Sequence, residues 1–148
     1  MDNNHLLFLK RYEHLEIGDY MPNGNLDTDN KLYNYLSKYL LVSFFSTSCE
    51  SCLPVMDGLN NFLYNHPYTN SVVLFDSSHE NTEFLIRYFE GNTPVYTVPK
   101  KKMQKEFSVF GVPSIFLLNE LGQVIYSELG YSEETFKQIE NLLLRIIT

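Results

Sequence analysis

Tryptophan is absent from this chain of 148 residues, and cysteine occurs only at Cys49 and Cys52. With no second cysteine pair, a four-cysteine zinc site is excluded. Basic residues are scarce: 11 Lys and Arg face 18 Asp and Glu, a formal charge of −7. That balance argues against nucleic acid and anionic membrane surfaces as partners. No stretch reaches the ~18 consecutive apolar residues of a spanning helix. The start lacks the apolar core of a signal peptide, since Leu6-Leu7-Phe8-Leu9 is short and ends in Lys10-Arg11. As given, the chain therefore reads as a soluble protein of a reducing compartment. An anchor upstream of Met1 would reverse that to a membrane-anchored, extracytoplasmic one. There is no internal repeat, low-complexity tract or long linker, so a single domain over 1–148 is expected.

What the chain does contain is material for a core. Apolar residues make up 44% and aromatics 15%, with eleven Tyr and eleven Phe, far from the composition of a disordered chain. Four of the basic residues cluster at Lys100, Lys101, Lys102 and Lys105. That cluster reads as the solvated face of a short helix rather than a dock for an acidic partner.

Residues 1–27 are polar and turn-rich, an N-terminal extension with short strands. Asp27 or Thr28 can cap a helix to about Tyr39, with Leu32, Tyr35, Leu36 and Tyr39 on one face. A buried strand follows at about 40–46. The spacing of Leu53, Met56, Leu59, Phe62 and Leu63 predicts a helix over 49–65, stopped by His66-Pro67. Residues 71–76 read as a second buried strand. A helix from Asn81 or Thr82 should turn Phe84, Leu85, Tyr88 and Phe89 inward, with Gly91 closing it. A short strand at 95–98 and a short helix at 100–108 come next. Strands 113–118 and 123–128 flank the turn Asn119-Glu120-Leu121-Gly122. Ser132 then caps a helix carrying Phe136, Ile139, Leu142, Leu143 and Ile146 inward. Alternation first and a hairpin last imply an α/β fold, a central mixed sheet with helices on both faces.

The chemistry sits in Cys49-Glu50-Ser51-Cys52, at the carboxyl end of the first core strand, where open α/β sheets place their sites. A helix starting at Cys49 would aim free N–H groups and a positive dipole end at that sulfur, favouring thiolate. Cys52 lies one turn on, within reach, so the pair reads as a dithiol–disulfide switch. Glu50, as an anion beside the thiols, would oppose thiolate formation. Pro54 removes a helical hydrogen bond and is expected to kink the helix. Farther on, Gly111-Val112-Pro113-Ser114 precedes a strand, a place where proline is allowed and a cis bond is accessible.

Strand–CxxC–helix, the later Gly-Val-Pro-Ser and the Asn-Glu-Leu-Gly hairpin together resemble the thioredoxin superfamily. Ile17-Gly18-Asp19-Tyr20-Met21-Pro22 and the extra strand and helix at 95–108 are similar to its TlpA/ResA-like branch. The likeness covers roughly 16–147. It implies a thioredoxin-like fold with an N-terminal extension and a strand–helix insertion. It also implies a thiol–disulfide oxidoreductase that needs no cofactor and no metal. Cys49 would attack, Cys52 would resolve, and Glu50 and Ser51 would tune the pair. Pro113 would be a cis-proline beside the disulfide, and Val112 would offer its backbone to a substrate strand. A disulfide-containing protein substrate and a redox partner protein are implied, with the enzyme itself a monomer. Three positions depart from these relatives. Ser48 replaces the usual Trp, and Ser43 and Val55 stand where acids are found.

Two other readings compete. Copper or zinc could be held by Cys49, Cys52 and His79, with His66 a weaker candidate. A thiol peroxidase is suggested by Ser46, three residues before Cys49, although Val42 replaces the proline expected upstream. Asp76, at its strand's end, reads as a turn residue rather than a catalytic acid.

Overall fold

A computed structural model of the chain describes residues 15–77, 82–89 and 91–147. The first apolar run is β1 (Tyr39–Ser46), buried along its whole length. It is the middle strand of a five-stranded sheet ordered β3-β2-β1-β4-β5, which explains its unbroken apolar sequence. β2 (Ser71–Asp76) pairs parallel with β1, and β3 (Val95–Thr97) parallel with β2. β4 (Ser114–Asn119) and β5 (Val124–Leu129) add an antiparallel hairpin on the other side. Asn119 shapes that hairpin, its Oδ1 accepting the N–H groups of Leu121 and Gln123 at 2.9 and 3.0 Å. Gly122, at φ 85°, occupies the left-handed turn position.

Alternate residues of β1 serve two separate cores. Leu41 and Phe45 join Val73, Phe75, Ile115 and Leu117 against α1 (Cys52–Asn65), α2 (Thr82–Tyr88) and α4 (Thr135–Ile147). Leu40, Val42 and Phe44 face the opposite layer, α3 (Lys100–Phe107) and the segment carrying Met21, Leu26 and Leu32. The mixed sheet with helices on both faces is therefore present, as are the strand and helix expected at 95–108. On α4, Ile139 and Leu143 are buried, and Phe136, Leu142 and Ile146 pack beside them. Among the described residues, no helix is long and apolar enough to cross a membrane.

Two expectations are overturned. No α-helix runs from Asp27 to Tyr39; only a 3-10 turn, Leu32–Tyr35, forms there. Asp27 caps no helix; its Oδ1 accepts the N–H groups of Asp29 and Asn30 at 2.9 and 2.7 Å. The Asp29 bond, above all, holds its carboxyl below the usual range. It closes a tight loop instead of a helix, because the carbonyls a helix would need are used elsewhere. Asn70 donates to Tyr35 O at 2.7 Å and to Tyr39 O at 2.8 Å, committing Tyr39 to β1. Leu53 and Phe84, both expected inward, are 56% and 66% exposed. The buried face of α1 runs through Cys52, Val55, Met56, Leu59, Phe62 and Leu63. Leu53 is rotated about 100° from it, as Phe84 is from the Leu85–Phe89 face.

Candidate active site

Cys49 and Cys52 are joined as a disulfide, their Cα atoms 5.4 Å apart. The pair follows β1 directly, with two residues, Thr47 and Ser48, between the strand and Cys49. The helix does not begin at Cys49, as the sequence suggested, but at Cys52. Residues 49–51 form the turn before it. The N–H of Cys52 bonds Cys49 O and that of Leu53 bonds Glu50 O, each at 3.3 Å. Those two N–H groups are thus not aimed at the sulfur. The later start also removes the expected kink. Pro54 falls in the first turn, where its missing N–H costs no helical bond.

The two sulfurs occupy different environments. Cys52 is fully buried among Val55, Met56 and their neighbours, whereas Cys49 is only half-buried at the rim of that cluster. An incoming disulfide can reach Cys49 alone. Ser51 Oγ lies 3.5 Å from Cys49 Sγ, close enough for its hydroxyl to donate to the sulfur. Glu50 is exposed beside it. Replacing that carboxylate, Glu50→Gln, removes a negative charge and should lower the Cys49 thiol pKa. Ultraviolet thiolate absorbance would follow it, and an unchanged titration would show that the carboxylate does not reach the sulfur.

The chain returns to the disulfide through the loop before β4. The Val112–Pro113 bond is cis, and Val112 O stands 3.8 Å from Cys49 Sγ. Pro113 is buried, and its carbonyl accepts the N–H of Gly130 at 2.9 Å. Ser114 Oγ donates to Gly111 O, closing the loop on itself. Cys49, Ser51, Cys52 and Val112 thus come together from two segments about sixty residues apart in sequence.

On the α2 side, a groove of about 600 Å³ opens beside Cys49. Leu53, Met56, Phe75, Phe84 and Leu85 give it an apolar wall, and Ser46, Thr47, Ser48 and Glu50 line the rest. The sequence reading assigned Leu53 and Phe84 to the core and so missed this surface. A strict comparison with the buried helical face would have found it, since each lies one residue off that face. His79 lies outside the described residues, and among the described residues no group of three or more His, Cys, Asp or Glu side chains could hold a metal. His66 bonds Glu140 at 2.8 Å and stacks on Phe62, at the far end of α1.

The family model of thioredoxin-like proteins matches residues 37–124, and the chain belongs to that family. The fold also recurs in solved structures. A candidate thiol:disulfide interchange protein, DsbE, of Chlorobium tepidum is 18% identical with a TM-score of 0.69, covering 91% of this chain and 100% of its own. A thiol:disulfide interchange protein of a Bacteroides species is 18% identical, with a TM-score of 0.66 and coverages of 86% and 90%. StoA of Bacillus subtilis is 20% identical, with a TM-score of 0.60 and coverages of 82% and 93%. No curated protein sequence matches the chain at a significant level.

Proposed function

We propose that this chain is a thiol–disulfide oxidoreductase of TlpA/ResA type that reduces or exchanges disulfides in other proteins through Cys49 and Cys52. One observation carries the reading: a half-exposed sulfur bonded to a buried one, at the end of the central strand, against the Val112–Pro113 loop. The Cys49 thiolate attacks a substrate disulfide, forming a mixed disulfide and releasing one substrate thiolate. Cys52 then gives up its proton, which the released substrate thiolate takes up, and the Cys52 thiolate attacks Cys49 Sγ. The second substrate sulfur leaves, and the intramolecular disulfide forms. Two electrons pass to the substrate, and a redox partner protein returns them. Glu50 and Ser51 tune Cys49, and the Val112 backbone pairs with an extended substrate segment while Pro113 offers no competing N–H. The chain works as one monomeric domain.

Trapping tests the order of attack. Cys52→Ser, reduced and mixed with a disulfide-containing protein, should accumulate a covalent adduct that runs intact on a non-reducing gel. Cys49→Ser should form none. Adducts through Cys52 alone would reverse the two roles. The apolar groove makes a second expectation. Phe84→Ala should lower kcat/KM for protein disulfides about tenfold, equivalent to about 1.4 kcal/mol of transition-state binding. Glutathione disulfide, whose charged and polar groups gain little from an apolar wall, should be reduced at the unaltered rate. An equal loss with both substrates would mean that Phe84 acts on the dithiol rather than on the substrate.

A further inference from the structure

The groove beside Cys49 has one closed end. Leu53 of α1 and Phe84 of α2 both line it. One turn further along each helix, on the same faces, stand Asp57 and Tyr88. The Tyr88 hydroxyl donates to Asp57 Oδ1, and Asn60 Nδ2 donates to Tyr88 O at 3.0 Å. These bonds tie α1 to α2 beyond the groove. Its mouth is left at the Cys49 end, where Glu50 lines it and is exposed.

The charges around this groove are of one sign. Glu50 is the one ionisable lining side chain besides Cys49. Asp57 stands past the closed end, and Asp76 Oδ2 accepts the hydroxyl of Ser46, another lining residue, at 3.4 Å. The surrounding elements do not offset these three acids. Residues 47–65 contain no Lys, Arg or His, and the 111–114 loop carries no charge. Arg87 of α2 is paired with Glu83 at 3.5 Å. The lysines of α3 belong to a helix that packs on the opposite sheet face through Met103 and Phe107.

An apolar channel with a carboxylate at its mouth is complementary to a cationic segment, and it repels an acidic one. We propose that the groove selects substrate disulfides flanked by lysine or arginine, with Glu50 as the residue that sets the choice. The inference rests on the oxidoreductase reading and deepens it by naming a substrate class. Lys and Arg suit such a mouth doubly, since their methylene stems can lie along Leu53 and Phe84 while the charged head stays in water beside Glu50.

Three end-blocked peptides test this, each closed by one disulfide and identical except at the two positions flanking the loop. Those positions carry lysine, glutamine or glutamate. Each peptide is mixed with the reduced protein, quenched in acid and separated by chromatography to give a second-order rate constant. Dividing by the rate with dithiothreitol removes the peptides' own difference in reactivity. The lysine peptide should then react about fivefold faster than the glutamate peptide at low salt, the size expected of one exposed attraction gained and one repulsion avoided. That ratio should fall toward one in Glu50→Gln and below one in Glu50→Lys. All the peptides meet the same sulfur, so any change in thiolate population cancels from the ratio. A ratio that is the same in the parent and both variants would overturn the selection and leave the oxidoreductase reading standing. Faster attack by the parent on the glutamate peptide would do the same. Failure of all three peptides to oxidise the dithiol would overturn the function, and the selection with it.

Discussion

Cys49→Ser should abolish disulfide reduction, cutting insulin turnover by at least about a thousandfold, to the background rate of the chemical reductant. A serine hydroxyl is far too weakly acidic to supply the nucleophile at neutral pH, and no other thiol can replace it, because Cys52 is the sole remaining cysteine and is fully buried. Cys52→Ser should behave differently. It should still react once with a substrate disulfide but release product only when external thiol resolves the mixed disulfide, so its turnover should depend on thiol concentration. Insulin reduction that survives both substitutions unchanged would end the oxidoreductase reading. Stoichiometric metal held by the parent protein and lost in Cys49→Ser would instead revive the binding alternative, in which Cys49 is a ligand.

The features read correctly from sequence are those in which neighbouring residues decide the outcome. The apolar run of β1, the Asn119–Gly122 hairpin and the α4 face all follow from local pattern. The Cys49–Cys52 spacing sets a pairing distance directly. The misreadings lie where a distant partner decides. Nothing near Tyr35 announces that Asn70 will take its carbonyl and that of Tyr39. The late start of α1 did leave a signal, since Pro54 is well accommodated only in a helix's first turn and therefore argues against a start at Cys49. Asp76 and Ser46 carry no motif at all; only the parallel register of β1 and β2 puts them side by side.

The second large effect lies on the opposite face of the sheet. Phe44→Ala should destabilise the protein by about 3–5 kcal/mol, a large part of the roughly 5–15 kcal/mol that holds a domain folded. Phe44 is fully buried on the central strand, with edge-on rings at 5.8 Å (Phe107) and 5.9 Å (Phe116). Phe107 ends α3, so this one side chain ties the 95–108 insertion to β1. The layer beyond it cannot collapse to fill the gap. A Cβ on Gly24 would already fall 2.7 Å from the Phe107 ring and 2.8 Å from the Glu106 carbonyl oxygen, so backbone is packed against that ring from outside. Urea unfolding should show the midpoint falling in proportion. A loss below about 1 kcal/mol would mean that α3 relaxes inward after all. Because β1 separates Phe44 from the core that holds Cys52, the Cys49 titration of the folded variant should match that of the parent. A matching shift in stability and titration would instead couple the two layers through β1.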